Sequence, residues 1–204
     1  MHRTVFIKTT EACQLNCKHC FTTGNKPPRN YIDGIFLADW IRRFVAHLPA
    51  DTMHFELHGG EPFLAPPILL NWIVDHIRLY SPWASVGATT NLTYALTDEL
   101  LEFMTTKLNS LGTSWDKGIR FANAKQEQLW RDNLAKVLAT GQHVTLNVSV
   151  SRAIIEMDQE ELLKFLRDTG CFRVQFERIT ANGNANDHIS LFPSNAEINQ
   201  WYLR

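Results

Sequence analysis

Three cysteines crowd the stretch "EACQLNCKHCF" (residues 11–21): Cys13, Cys17 and Cys20, spaced C-x-x-x-C-x-x-C. The one other cysteine, Cys171, lies far downstream. Clustered thiols of this kind have three familiar uses. They pair as disulfides in oxidising compartments, usually in small cysteine-dense scaffolds. Four cysteines in 204 residues are sparse for that, and the opening "MHRTVFIKTT" is basic without the apolar run of a secretory signal. They hold structural zinc, which wants a closed tetrahedron of four protein ligands. His19 is a candidate fourth ligand, although ligands as close as His19 and Cys20 strain that geometry. Or they hold a [4Fe–4S] cluster through three irons and leave one iron open to a further ligand. The spacing favours the cluster over zinc, with an unligated set of thiols as the remaining alternative.

A second constellation is "HGGEP", residues 58–62. Gly59 and Gly60 let backbone approach a ligand without side-chain obstruction. Glu61, stiffened by Pro62, accepts hydrogen bonds from an ammonium group. Taken alone, the same five residues also describe a tight turn with a solvated carboxylate.

Both constellations need a scaffold, and the hydrophobic pattern supplies one. Strands are expected at 4–8, 52–58, 85–90, 110–115, 143–150 and 172–179, where runs are short or rich in β-branched residues. Helices are expected at 35–48, 66–80, 97–108, 124–141 and 158–170, and a last one begins with "PSNAEINQWYLR". In the first helix Phe36, Trp40, Phe44 and Leu48 mark the apolar face. Thr97 caps the third, and Gly141 and Gly170 close the next two. Trp72, Trp130 and Phe165 have helical spacing and read as core. Six strands, each followed by a helix, imply parallel pairing with right-handed crossovers, as an open sheet or a complete or partial barrel. Ligands in such folds gather at the carboxyl ends of the strands. The polar oddities fall there: the cysteine loop after strand one, "HGGEP" after strand two, "TTN" after strand three, "SWD" after strand four and "NVSVSR" after strand five.

The bulk numbers agree with one domain over residues 1–204 and a sizeable core, since 45% of residues are hydrophobic. A formal net charge of −1 without a basic cluster argues against general nucleic-acid binding. The apolar runs are too short to span a bilayer. Unpaired clustered cysteines point to a reducing compartment, hence the cytoplasm.

Taken together, the C-x-x-x-C-x-x-C loop, G-G-E-P one β/α unit later and the six-fold β/α order resemble the radical S-adenosylmethionine (radical SAM) enzymes, over essentially the whole chain. The resemblance implies a partial (β/α)6 barrel of parallel strands. It implies a [4Fe–4S] cluster on Cys13, Cys17 and Cys20 whose open iron is chelated by S-adenosylmethionine. An electron then cleaves the sulfonium bond, and the 5′-deoxyadenosyl radical abstracts a substrate hydrogen. The electron would come from a donor such as flavodoxin or ferredoxin. His19 stands where the family usually has an aromatic residue against the adenine, a departure that an imidazole fills. Gly59, Gly60 and Glu61 match the segment that binds the methionine amino group.

Further roles follow from the same resemblance. Ser114 would lie near the ribose or methionine carboxylate, and Asp116 would face substrate or brace the loop. Asn91, Asn147, Ser149 and Arg152 would complete the cofactor site. Each of these positions also has a plain structural reading. Asp116 and Cys171 are the weak candidates for catalysis, and Cys171 is more simply a small buried hydrophobe. "FERITANGNA" (176–185) resembles the strand-six end that lines the adenine pocket in peptide-modifying relatives. Many of those continue into a cysteine-rich C-terminal extension, so this chain is either a minimal single-cluster enzyme or lacks that region. The substrate is expected to be a peptide or protein. The alternatives are a small molecule or nucleotide, or a non-catalytic iron–sulfur or S-adenosylmethionine-binding subunit of a complex.

Overall fold

The computed structural model describes residues 1–21, 30–48 and 51–203; Arg204, at the end of the expected last helix, lies outside them. Six strands alternate with helices: β1 (His2–Thr10), α1 (Gly34–Ala46), β2 (Thr52–Gly59), α2 (Pro67–Tyr80), β3 (Ser85–Thr90), α3 (Asp98–Thr106), β4 (Ser110–Ser114), α4 (Ala124–Ala139), β5 (Val144–Ser149), α5 (Arg152–Ile155), α6 (Gln159–Asp168), β6 (Arg173–Glu177) and α7 (Asn195–Tyr202). The strands are parallel and follow chain order in one unclosed sheet, β1-β2-β3-β4-β5-β6, as a partial (β/α)6 barrel requires. The short α5 was not expected, because four residues carry no periodic signal.

By contact density the described residues form two compact units. One comprises those of Met1–Cys13, Lys26–Thr90 and Ala95–Gly112, the other those of Gln14–Asn25, Asn91–Tyr94 and Thr113–Arg204. In the first unit β1 pairs with β2 from His2↔Thr52 to Lys8↔His58, and β2 with β3 from His54↔Ser85 to Leu57↔Ala88. Alternation sends Met53, Phe55 and Leu57 to one face, fully buried together with Ile7, Val86 and Ala88. Leu37, Ala38 and Ile41 of α1, and Leu70, Ile73, Val74 and Ile77 of α2, are buried too, and α1 packs on α2. The buried stripe of α1 therefore differs from the expected one. Phe36 is exposed, and Trp40 and Phe44 stack on each other at 4.7 Å on a half-exposed face, because the slimmer aliphatic side chains take the close approach. Trp130 is fully buried as expected, whereas Trp72 and Phe165 are half-buried.

The opposite face of β1–β3 is polar. His54, Glu56 and His58 alternate along β2, with Phe6 and Lys8 paired across on β1. His54 Nδ1 lies 2.8 Å from Ser85 Oγ and its Nε2 lies 3.0 Å from Glu56 Oε2, while Thr89 Oγ1 donates to Glu56 Oε1 at 2.7 Å. Phe6 is 68% exposed and meets the His58 ring edge-on. Burial lowers the His58 pKa, against the pull of the Glu56 charge. Closed barrels fill their interior with branched apolar side chains; this face carries ionisable groups instead.

Helix ends are capped from the sequence. Thr97 accepts from Leu100 N as expected, and Asp33, Asn123, Asp158 and Ser194 cap four other helices. No described helix is long and apolar enough to cross a membrane.

Candidate functional site

In the first unit the end of β1 meets the G-G-E turn. Gly59 has φ +148°, and a Cβ there would lie 2.2 Å from Thr10 O; a Cβ on Gly60 would lie 2.3 Å from Ala12 O. The backbone these glycines admit is thus that of residues 10–12, directly before Cys13. Gly60 N donates to Thr10 O and Glu61 N to Ala12 O, fixing the approach. Glu61 is 1% exposed, so it is no solvated turn residue. Its Oε1 accepts from Thr90 Oγ1 at 2.7 Å and from Phe63 N at 3.2 Å, capping the turn Pro62–Leu64. A buried carboxylate is costly unless its oxygens are met by donors; these two hold it in one orientation at the carboxyl end of β2.

The second unit holds the rest of the cysteine loop. Gln14 Nε2 donates to Asn91 Oδ1 (2.8 Å) and Thr93 Oγ1 (3.1 Å), and Asn91 Oδ1 also accepts from Thr93 N and Thr93 Oγ1. Asn91 therefore anchors the loop through Gln14. It precedes Leu92, whose φ of +50° is unusual for a branched side chain. Asn133 of α4 donates to both Leu92 O and Tyr94 O and holds that bend. Lys18 N donates to Ile119 O.

After β4, Asp116 is wholly buried. Its Oδ1 accepts from Ser149 N at 2.6 Å, and its Oδ2 takes Arg120 Nε at 2.5 Å and lies 3.2 Å from His19 Nε2. Burial pushes this carboxyl's pKa up, but the Arg120 charge, His19 and the Ser149 amide outweigh it and hold it well below the usual carboxylate range. Of the two expected roles, Asp116 takes the bracing one here: it ties the loop residue His19 and the end of β5 to the end of β4. Ser114 is buried at the last position of β4, and Asn147 is half-buried with its carbonyl accepting from Trp115 N. Arg152 turns to α7, where its guanidinium pairs with Glu197 at 2.9 Å and reaches Ser190 O and Phe192 O.

We expect Asp116→Asn to cost about 3 kcal/mol. Breaking a buried ion pair from one side costs about 3–5 kcal/mol, and asparagine keeps an acceptor for Ser149 N, which sets the lower end. Urea midpoints at constant slope measure it. A loss below about 1 kcal/mol, the scale of an exposed pair, would show that the cluster of charges is not holding the loop.

None of the four cysteines is in a disulfide. Cys17 is 8% exposed, and Cys13 and Cys20 are half-buried. Burial raises the Cys17 thiol pKa, with the Arg120 charge opposing it; coordination to a cationic centre is what deprotonates such a thiol. Among the described residues no three His, Cys, Asp or Glu converge as ligands of a single ion would, whereas a cluster spreads its thiolates over separate irons. Cys171 precedes β6, at the amino end of that strand, and is half-buried with its pKa raised by burial.

Gln14, Thr90, Arg120, Asn133 and Asn184 were not singled out from sequence. Two left a signal. Asn133 interrupts the buried stripe Trp130, Leu134, Val137 of α4, and Arg120 stands four residues after Asp116.

No family model matches the chain. Over 80 residues (38% of this chain) it is 39% identical to the serine-type anaerobic sulfatase-maturating enzyme of Klebsiella pneumoniae, and it matches the Klebsiella aerogenes enzyme equally. The chain spans about one-fifth of the length of these curated relatives. Among solved structures, anSMEcpe with bound AdoMet superposes with a TM-score of 0.75 at 16% identity, over 88% of this chain and 52% of that one. Streptococcus suis SuiB bound to precursor peptide SuiA gives a TM-score of 0.63 at 15% identity, over 87% and 39%.

Proposed function

We propose that this chain, a radical SAM protein of the peptide-maturase type by its sequence resemblance and its fold, is a single core domain that binds a [4Fe–4S] cluster and S-adenosylmethionine and modifies a peptide or protein side chain. The observation that carries the reading is the buried carboxylate of Glu61, held in one orientation at the carboxyl end of β2, one β/α unit along the chain from the three-cysteine loop that follows β1. When bound, the cluster supplies the electron that cleaves S-adenosylmethionine and so makes the radical that takes the substrate hydrogen. The chain's own residues bind and orient. Cys13, Cys17 and Cys20 would hold three irons. Glu61, fixed by Thr90 and Phe63 N, would meet the methionine ammonium with a charge-assisted hydrogen bond. His19, Asn91, Ser114, Asn147, Ser149 and Arg152 are proposed contacts or supports of the cofactor, and Asn91 and Asp116 act through the loop they brace. A peptide substrate is supported by relatives whose names state sulfatase maturation and by SuiB with its precursor peptide. An external electron donor and a reducing cytoplasm suit the same chemistry.

The test is anaerobic reconstitution with iron and sulfide, then S-adenosylmethionine and dithionite, with chromatographic detection of 5′-deoxyadenosine. Candidate serine- and cysteine-bearing peptides deuterated at the β-carbon are added in parallel, and deuterium is followed into 5′-deoxyadenosine. Formation of 5′-deoxyadenosine is expected, raised by a substrate peptide. Reconstituted protein that yields none would sink the catalytic reading and favour a binding subunit.

A further inference from the structure

Asn184 stands just past the end of β6, in a segment that sequence resemblance connects with the adenine. Its observed contacts run elsewhere. The backbone N–H of Asn184 donates to Cys20 O at 2.9 Å. Its side-chain Nδ2 donates to Cys17 O at 3.1 Å and to Asn16 Oδ1 at 2.9 Å. A main-chain carbonyl only accepts, so the amide orientation is fixed by chemistry and not by choice of atom label. One residue thus spends three hydrogen bonds on residues 16–20, and two of them fall on the carbonyls of thiol-bearing residues. Gly183 makes the approach possible: a Cβ there would lie 2.5 Å from Cys20 O and 2.6 Å from Phe21 O, at φ +55°.

We propose that Asn184 is the positioning residue of the cysteine loop, setting the directions of the Cys17 and Cys20 thiols by clamping their carbonyls. The proposal rests on the cluster reading above. The loop is irregular, so no helix or strand ladder fixes its peptide planes. A peptide is planar; holding its oxygen restricts the plane's rotation, and with it the ψ that orients the Cα–Cβ bond. Gln14 anchors the start of the loop to Asn91 and Thr93, and Asn184 does the same for its end. The clamp comes from 167 residues away in sequence, so cluster retention becomes sensitive to the segment after β6.

Three variants test this. Asn184→Asp keeps the shape and removes the side-chain donors, Asn184→Ala removes the amide, and Arg178→Ala serves as control. Arg178 lies in the same region but bonds Asn195 and Asn199, not the loop. Each is reconstituted without oxygen, and iron loss to a chelator is followed by the decay of visible absorbance. Loss is expected to be about tenfold faster in Asn184→Asp, the scale of one or two lost hydrogen bonds, with an altered EPR signal of the reduced cluster; Arg178→Ala should match the parent. Parent-like loss and signal in Asn184→Asp would overturn the proposal, as would equal acceleration in Arg178→Ala. Amide hydrogen exchange of the metal-free chain separates this from failure of the cluster reading. The Cys20 amide, which donates to Cys17 O at 3.1 Å, should exchange faster in Asn184→Asp even if the parent takes up no iron. Unchanged exchange would refute the clamp by itself.

Discussion

A Cys17→Ala chain is expected to take up no cluster under anaerobic reconstitution, while Cys171→Ala takes up as much iron and sulfide as the parent, about four of each per chain. The contrast follows from position. Cys17 sits in the loop after β1, 8% exposed, with its carbonyl held by Asn184. Cys171 lies at the amino end of β6, whereas ligands in parallel β/α folds gather at the carboxyl ends. Loss of one of three thiolates leaves an iron without its protein ligand, so the effect is all or nothing and not graded. Iron and sulfide analysis and visible absorbance read it. Tetrahedral zinc in well-loaded anaerobic parent protein would defeat the cluster assignment. Bleaching by Cys171→Ala equal to that of Cys17→Ala would return Cys171 to the cofactor.

The second large effect concerns Glu61. Removing its carboxylate should weaken S-adenosylmethionine binding about ten- to a hundredfold, since a hydrogen bond to a charged group contributes about 1.5–3 kcal/mol. Glu61→Gln should lose less than Glu61→Ala, because it keeps an oxygen to accept from Thr90 Oγ1 and Phe63 N. Glu61→Ala also leaves a buried hydroxyl and an amide without that acceptor, and should cost about 1–3 kcal/mol of folding stability as well. Calorimetric titration on protein of matched iron content separates the two losses, with a urea melt run alongside. Parent-like affinity in both variants would reduce Glu61 to a brace of the turn.

The β/α order was legible because each strand is a short β-rich run and each long helix has its caps and apolar spacing, and every expected strand is found within a few residues of its place. The three-cysteine loop and G-G-E-P could be read for the same reason: their residue types carry meaning at local spacing. Purpose was harder. Gly59 and Gly60 were read as room for a ligand, and the structure puts the chain's own residues 10–12 in that room. Arg152, proposed as a contact or support of the cofactor, pairs with Glu197, a partner 45 positions away that no local spacing points to. Asn184 lies in a segment whose resemblance points to the adenine, and its tie to the cysteine loop was not legible because that depends on which carbonyls the fold brings to it. The aromatics of α1 misled for a physical reason: large rings at i, i+4 look like a core stripe, yet Leu37 and Ile41 were the side chains small enough for the tight contact.

The polar face of β1–β3 has a thermodynamic corollary. Unfolding raises heat capacity mainly by exposing apolar surface, and exposing polar surface lowers it. A chain of 204 residues would ordinarily show about 2.5–3 kcal/mol/K. Here Phe6 and Lys8 already meet solvent beside the half-buried His54, Glu56 and His58, so that face adds little on melting and its ionisable part subtracts. The heat-capacity increment should fall at or below the lower end of that range, giving a flatter stability curve than chain length implies.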